Sequence, residues 1–320
     1  MGLTGPRCLD AELAARVKPT TLKIYRESSA AFANWSIAAG LYPITSAQWG
    51  DCLMEFKHAN MKWLTKQKFV YTVTSVEFFF PSFKGHLAWS HSAITGWQIA
   101  DPVKHTVPLG ITVSRLVAIH MSSMGYSRLG IGLVVQAVTG MRPNEMLGIV
   151  SEDVSLPSDM CESLATRAIL IALAPRTGTK MKRPQTVSIT NKYPDVAHII
   201  ATLRSVTPPK CRLFPYSIGT YRRVLKVTEA RLGLKTGWSP HSPRSGFASD
   251  LRAAGVPFTE IKELGRWAAD ASLRVYLDIV TATSIAVDLQ TRGLGPAIAW
   301  SNRNWLQYFP LAALAAVYQR

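Results

Sequence analysis

The amino-acid sequence predicts a mainly α-helical protein with a small β-sheet, an α+β fold, organised in two domains. Residues 18–80 carry apolar side chains at the three- and four-residue spacing of helices. Residues 167–174 and 185–190 are short apolar or β-branched runs, which are typical of strands. Residues 101–110 contain two prolines and lose all periodicity, which indicates a linker. A chain of 320 residues is long enough to bury a core in each of two domains.

The first part of the chain is predicted to hold successive helices. The residues that favour helix starts and stops there are Thr20, Thr21, Gly40, Pro43, Thr45 and Ser46. A third helix is predicted over residues 60–80 and ends at Pro81. It carries Lys62 and Lys66 beside aromatic side chains. Lysines in this setting either bind a polyanion or form the solvated face of an amphipathic helix, and the sequence leaves both interpretations open.

The second part is predicted to combine helices with a β-hairpin. Residues 112–124 and 128–140 have helical periodicity, and helical patterns resume from Ile218. The two strand-like runs, residues 167–174 and 185–190, are joined by a basic segment that contains Gly178. This arrangement indicates a hairpin with a positively charged tip.

The charge of the chain is strongly positive and unevenly distributed. Lys and Arg number 36 against 20 Asp and Glu, which gives a formal net charge of +16. Residues 164–228 contain twelve basic side chains, and Asp195 is the single acidic residue among them. Because solvated surfaces usually mix both signs, this pattern predicts a polyanionic partner with salt-sensitive affinity.

The cysteines and the hydropathy exclude several other classes of protein. Cys8, Cys52, Cys161 and Cys211 are far apart and form no metal-binding or disulfide pattern, which fits a reducing compartment. No run of 18 apolar residues and no signal-peptide pattern is present, so no membrane partner and an intracellular location are expected.

Six residues that suit anion binding and nucleophilic chemistry follow one another in a specific order. They lie in the segments TGMRPNE, HSPR, LGRW and SLRVYL, and are Arg142, Glu145, His241, Arg244, Trp267 and Tyr276. Each segment alone is a weak signal, because an HxxR pair or a helical Tyr occurs often by chance. The order, with Tyr276 nine residues after Trp267, is far more specific.

This ordered set resembles the tyrosine recombinase (phage integrase) family, over roughly residues 110–290. The resemblance implies a 3′-phosphotyrosyl intermediate formed by Tyr276, with Arg142, His241 and Arg244 at the phosphate and Glu145 in support. Trp267 occupies the position of the family's His or Trp. The resemblance also implies double-stranded DNA as partner, a tetramer on paired sites, and no metal, ATP or other cofactor.

Elementary chemistry is consistent with these roles. Arg142 and Arg244 present planar forks that match two phosphate oxygens, which a Lys cannot do. His241 can donate to phosphate or help remove the tyrosine proton. Trp267 cannot exchange protons at neutral pH, but its indole N–H can donate, and it can also simply pack against the segment of Tyr276.

The hairpin departs from the family pattern. Arg176 occupies the position where the family usually has a Lys, and a guanidinium is a poor proton donor. Lys180, or less favourably Lys182, is therefore the expected general acid for the leaving oxygen. The residues expected to contact DNA are Arg176, Lys182, Arg183, Lys62 and Lys66.

The expected layout has four parts: a helical core-binding domain over residues 15–100, a linker over 101–110, a catalytic domain over 111–293 and a C-terminal tail over 294–320. The tail either packs on a neighbouring protomer or covers its own domain's core. The sequence thus favours a site-specific DNA recombinase. The alternatives are a DNA-binding protein that has lost strand cleavage and an enzyme that nicks and rejoins DNA like a type IB topoisomerase.

Overall fold

The computed structural model describes residues 16–101, 106–159, 168–173 and 185–318. The chain divides into two compact units, residues 1–104 and 105–320. It is mostly helical and contains a three-stranded antiparallel sheet, so the predicted fold class, mainly α with a small β-sheet, is confirmed. None of the described helices has both the length and the apolar character needed to cross a membrane.

The first unit is a helical domain with an aromatic core. Its helices are α1 (Pro19–Ala38), α2 (Ser46–Ala59), α3 (Lys66–Phe79) and α4 (Ala88–Ala100). Phe32 of α1, Phe56 of α2 and Phe69 of α3 are buried together. The rings of Phe32 and Phe56 meet edge to face, with centroids 5.4 Å apart. The predicted apolar stripes are therefore the surfaces that hold this unit together.

Local capping decides where these helices begin. Thr45 caps α2 in a capping box with Gln48, as its position in the sequence predicts. The predicted helix over residues 60–80 is shorter than expected, because the Thr65 side chain accepts from the Lys68 N–H and starts α3 at Lys66. Lys62 consequently lies in an exposed turn before the helix.

The second unit surrounds the sheet with helices. Its helices are α5 (Ile111–Ser123), α6 (Ser127–Thr139), α7 (Pro143–Gly148), α8 (Pro194–Ser205), α9 (Ile218–Arg231), α10 (Ser242–Ala253), α11 (Phe258–Leu264), α12 (Asp270–Arg274), α13 (Ile279–Thr291), α14 (Gly295–Asn304) and α15 (Leu311–Ala315). Every residue of α6 is buried, so this helix forms the centre of the main core.

The sheet contains the predicted hairpin and one additional strand. Its strands are β1 (Val154–Ser155), β2 (Ile169–Leu173) and β3 (Gln185–Ile189), in the order β1-β2-β3. Ile171 of β2 pairs with Val187 of β3 and with Val154 of β1, and all three side chains are buried. The alternating residues of the two predicted strands therefore face the core.

The tip of the hairpin lies outside the described residues. The sequence predictions that fall there concern Arg176, Lys180, Lys182 and Arg183. They remain predictions.

The described part of the C-terminal tail packs on its own domain. Trp305, Phe309 and Leu314 belong to the main core of the second unit. The Trp305 indole donates to Asp195 Oδ2 over 2.7 Å, and Arg128 Nε donates to the Leu314 carbonyl over 2.7 Å. This arrangement corresponds to the second of the two alternatives for the tail, coverage of its own core. Exchange between protomers stays a prediction.

Candidate active site

Arg142 is held in place by the turn that ends α6. Gly140 follows α6 with φ of +62°, a conformation that favours glycine, and a Cβ there would lie 2.6 Å from the Phe247 ring. The chain then reverses, and Arg142 becomes the N-cap residue of α7 with Pro143 next to it. The sequence TGMRP therefore presents Arg142 at the start of a short helix rather than inside α6.

Glu145 fixes the side chain of Arg142 from one turn further on. Its Oε1 accepts from Arg142 Nη1 over 2.7 Å, and its Oε2 accepts from the Arg142 backbone N–H over 2.9 Å. Burial alone raises the pKa of Glu145. The hydrogen bonds from Arg142 and the charges of Arg142 and Arg266 outweigh burial and hold the pKa below its usual value. Glu145 is therefore a carboxylate at neutral pH.

The histidine and the second arginine of the motifs lie at the start of helix α10. His241 is the N-cap residue of α10, and Arg244 lies in the first turn of the helix. The preceding segment is anchored by Gln136 of the buried α6, whose Nε2 donates to the Pro240 carbonyl over 2.8 Å. Tyr221 of α9 donates to the Oε1 of the same amide over 3.0 Å, so the position of His241 rests on a buried polar pair.

Arg244 is a buried cation. Its residue is 1% exposed, and it donates to the carbonyls of Gly140 and, over 2.7 Å, of Gly265. Among the described residues no carboxylate forms an ion pair with it. Burial, together with the charges of Arg142 and Arg266, lowers the pKa of Arg244 to about 9. It remains a cation at neutral pH, and no carboxylate in the described ranges is paired with it directly, which is the electrostatic pattern of an anion site.

The rings of Trp267 and Tyr276 both lie beside the Arg244 guanidinium. The Trp267 ring lies 4.0 Å from the Arg244 guanidinium, and the Tyr276 ring lies 5.7 Å from it. The two aromatic rings are 5.6 Å apart and pack on a small core formed mainly by Phe247 and Ile261. The Trp267 indole N–H is buried without a hydrogen-bond partner in the described part of the chain. Trp267 thus packs beside Tyr276 and also retains a free donor.

The hydroxyl of Tyr276 reaches the imidazole of His241. Tyr276 Oη lies 3.3 Å from His241 Nδ1. Ser245 of α10 donates to the Tyr276 carbonyl over 2.8 Å, and Ser249 lies 3.4 Å from the same oxygen. The start of helix α10 therefore places His241 beside the Tyr276 hydroxyl, and Ser245 of the same helix holds the Tyr276 backbone.

His241 is kept neutral by its surroundings. Although the residue remains solvent-exposed, desolvation of its ring lowers the pKa below the usual histidine value. The positive charges of Arg244, Arg142 and Arg222 lower it further, and Glu145 opposes them. A neutral imidazole can accept a proton, so His241 can take the proton of the Tyr276 hydroxyl.

The structure thus brings together all six residues singled out by the ordered motifs. Lys62 and Lys66 belong to the first unit, and their contact with DNA stays a prediction. Lys66 forms an ion pair there with Asp101, with Nζ 2.9 Å from Oδ2. Within the described ranges no group of three His, Cys, Asp or Glu side chains is placed to hold a metal ion.

Sequence reasoning missed several residues that build the site. Gln136 and Ser245 are buried hydrogen-bonding residues, and the turn of Gly265 and Arg266 contacts both arginines. A Cβ at Gly265 would lie 1.5 Å from the Trp267 ring, so the turn requires glycine there. The sequence features that could have indicated these residues are a Gln within the apolar α6 and an Arg between Gly265 and Trp267. Neither feature shows which distant residue the side chain contacts.

Comparison with known families agrees with this arrangement. The sequence model described as the phage integrase family matches residues 112–282. The match covers more than half of the 320 residues and contains all six motif residues, and the chain therefore belongs to the phage integrase family. No curated protein sequence matches the chain significantly.

Known structures share the fold at low sequence identity. A Tn1549 transposon integrase in complex with transposon right end DNA has a TM-score of 0.58 and 15% identity, covering 88% of this chain and 98% of its own. XerH recombinase bound to a palindromic difH substrate has a TM-score of 0.53 and 13% identity, with coverages of 81% and 74%. A lambda integrase dimer bound to a core site has a TM-score of 0.51 and 14% identity, with coverages of 85% and 94%. At these identities the similarity shows a shared fold.

Proposed function

We propose that this chain is a site-specific DNA recombinase that cleaves and rejoins strands through a phosphotyrosyl intermediate on Tyr276. The observation that carries the proposal is the 3.3 Å approach of Tyr276 Oη to Nδ1 of a neutral His241, beside the buried cation Arg244. A nucleophile, a proton acceptor and an uncompensated positive charge together suit attack on an anionic phosphodiester.

The proposed first step transfers one proton and exchanges one P–O bond. Tyr276 Oη gives its proton to His241 Nδ1, which requires the neutral tautomer that carries its own proton on Nε2. Oη forms a bond to phosphorus and the P–O5′ bond breaks, which leaves a 3′-phosphotyrosyl link and a free 5′-hydroxyl. The departing oxygen takes a proton from a general acid, for which Lys180 of the hairpin remains the candidate.

The arginines stabilise the charge that develops on phosphate. Arg142 and Arg244 present guanidinium groups to the non-bridging oxygens, and the buried indole N–H of Trp267 supplies a further donor. A phosphotyrosyl link is about as energetic as the phosphodiester it replaces. Rejoining to a new 5′-hydroxyl is therefore proposed to need neither ATP nor metal.

Double-stranded DNA is the proposed substrate. The dense positive charge of residues 164–228 supports a polyanion. The structures of the Tn1549 integrase, XerH and lambda integrase with the same fold are DNA complexes, and the lambda structure is a dimer. Strand exchange joins four strand ends, so a tetramer on paired sites is proposed, with the two units contacting the DNA.

Covalent trapping tests the proposal. The protein is incubated with EDTA and DNA that flanks its own gene, then denatured in SDS, alongside Tyr276→Phe, Lys180→Ala and the control Tyr42→Phe, which alters an exposed tyrosine of the first unit. A protein–DNA adduct should form in wild type and Tyr42→Phe and be absent in Tyr276→Phe.

The other outcomes separate the alternatives. An adduct that persists in Tyr276→Phe would overturn the choice of nucleophile. Tight, salt-sensitive binding without any adduct would favour a DNA-binding protein that has lost cleavage. Relaxation of supercoiled plasmids that lack any recognition site would favour a topoisomerase-like activity.

A further inference from the structure

Arg266 adopts a backbone conformation that residues with a side chain avoid. Its φ is +57°, and within the described ranges Lys210, with φ of +63°, is the one other non-glycine residue with a positive φ. Lys210 lies on the surface, whereas the Arg266 side chain is 9% exposed. Left-handed backbone is unfavourable for an L-residue other than glycine, so a buried arginine there must be held by specific contacts.

The backbone of this turn contacts both arginines of the site. Arg244 Nη2 donates to the Gly265 carbonyl over 2.7 Å, and Arg142 Nη2 approaches the Arg266 carbonyl at 3.4 Å. The left-handed conformation at Arg266 places two successive carbonyls beside two guanidinium groups. Glycine at position 266 would adopt the same backbone at lower conformational cost. The turn alone therefore does not explain an arginine.

A contact of the Arg266 side chain with Glu145 explains why an arginine occupies this position. Its Nη2 lies 3.2 Å from Glu145 Oε2, while Glu145 Oε1 accepts from Arg142 Nη1 over 2.7 Å. One carboxylate is thus shared between two guanidinium groups. Without Arg266, the charge of Glu145 would be opposed by Arg142 alone, and Arg142, Arg244 and Glu145 would together carry a net charge of +1. With Arg266, the three positive charges face one negative charge, and the net charge of the group is +2.

We propose that Arg266 is a positioning residue that shares the Glu145 carboxylate with Arg142, so that the Arg142 guanidinium keeps its positive charge for the scissile phosphate. Arg266 is assigned to Glu145 and not to the phosphate because the carboxylate is the charged group that its guanidinium contacts, with Nη2 3.2 Å from Oε2. This inference rests on the proposed function, since it names the phosphate as the anion.

The first test replaces Arg266 by glycine, which suits the backbone and removes the guanidinium. Arg266→Gly should keep its melting temperature within about 4 °C of wild type. Its rate of covalent adduct formation should fall about 10- to 100-fold, the range expected for losing a charge-assisted interaction. Arg266→Lys, which keeps a charge for Glu145, should recover part of the rate. Lys210→Gly relieves the same backbone conformation away from the site and is the control for the melting temperature alone.

A double-mutant cycle tests whether Arg266 acts through Glu145. In a Glu145→Gln background there is no carboxylate charge to share, so adding Arg266→Gly should change the rate by less than about threefold. Losses that multiply would show that Arg266 acts independently and would overturn the proposal. If Glu145→Gln does not fold, the comparison of Arg266→Lys with Arg266→Gly decides, and equal rates would overturn it.

Binding of inorganic phosphate separates this inference from the proposed function. Phosphate should stabilise the wild-type protein against heating, and its affinity should be at least about 10-fold weaker in Arg266→Gly. If wild type forms no adduct on any DNA, the proposed function fails while the phosphate titration still tests Arg266. Equal phosphate affinity in wild type and Arg266→Gly would overturn the role proposed for Arg266, whatever the cleavage result.

Discussion

The hydroxyl of Tyr276 lies 3.3 Å from Nδ1 of His241, although 35 residues separate the two along the chain. Two independent supports create this approach. Gln136 holds the segment that leads to His241, and Ser245 holds the carbonyl of Tyr276. Because both supports are buried polar contacts, the pair is arranged before any substrate arrives, which is the usual requirement for efficient proton transfer.

The pH dependence of cleavage should follow His241. Only the neutral imidazole accepts the tyrosine proton, and burial and neighbouring arginines lower its pKa. The active form therefore predominates above the lowered pKa and is lost as pH falls through it, so the acidic midpoint should lie below the ordinary histidine value of about 6.5. Single-turnover adduct formation between about pH 5 and 8 measures this.

A second histidine provides the control for that profile. Burial also lowers the pKa of His120, which lies on α5. His120→Gln should retain the acidic limb, and His241→Asn should react slowly at every pH. An acidic limb that survives in His241→Asn would contradict the assignment of His241 as proton acceptor.

Ser245 should contribute to both stability and cleavage. The residue is fully buried and donates to the Tyr276 carbonyl over 2.8 Å. Ser245→Ala leaves that carbonyl with the weaker 3.4 Å contact to Ser249, so we expect a loss of about 1 kcal/mol in the free energy of unfolding and slower adduct formation. Ser249→Ala is the matched control. It should lower the free energy of unfolding, measured in urea, and the rate of adduct formation by less than Ser245→Ala does. Equal effects would show that the shorter bond has no special role.

Gly140 should not tolerate a side chain. Gly140→Ala would force a Cβ into the Phe247 ring, 2.6 Å away, and would place alanine at φ of +62°. Its carbonyl also accepts from Arg244. We expect a loss of more than about 2 kcal/mol, since overpacking adds to the strain of left-handed backbone. Gly125 has a φ of +81° but no atom within 4 Å of a Cβ, so Gly125→Ala introduces backbone strain without overpacking. It should lower the free energy of unfolding by about 1 kcal/mol. Urea unfolding of both variants checks the difference.

Affinity for DNA should depend steeply on salt. Each Lys or Arg that neutralises a phosphate releases counter-ions, and six to ten such contacts weaken binding by about 10³- to 10⁵-fold between 50 and 200 mM salt. The twelve basic residues of residues 164–228 are sufficient for this number. Fluorescence anisotropy with the Tyr276→Phe variant measures binding without cleavage. An affinity that is insensitive to salt would contradict the electrostatic argument.

The sequence predicted those features that depend on local patterns. Thr45 marked the start of α2, and alternating apolar residues marked β2 and β3, because capping and strand alternation are encoded over a few residues. Motif order also predicted which residues gather at the site. The start of α3 was misplaced because Thr65 caps the helix inside a run that remains helical in pattern.

Contacts between distant segments could not be predicted from the sequence. The sharing of Glu145 by Arg142 and Arg266 joins positions 121 residues apart, and no local pattern encodes it. The left-handed backbone of Arg266 is likewise set by its tertiary contacts, since propensity alone argues against it. The apolar residues of the tail look the same in sequence whether they pack on their own domain or on another protomer.

Mutation of Trp305 distinguishes those two arrangements of the tail. Trp305 is 1% exposed, packs in the main core and donates to Asp195 Oδ2 over 2.7 Å. If the tail covers its own domain, Trp305→Ala should lower the free energy of unfolding of the monomer by about 3–5 kcal/mol, because it removes a large buried side chain. Trp300→Ala, at a position 41% exposed, should cost less than about 1 kcal/mol. Urea unfolding at protein concentrations low enough to keep the chain monomeric makes the comparison. A monomer whose stability is unaffected by Trp305→Ala, together with weakened assembly on DNA, would instead mean that Trp305 packs against a neighbouring protomer.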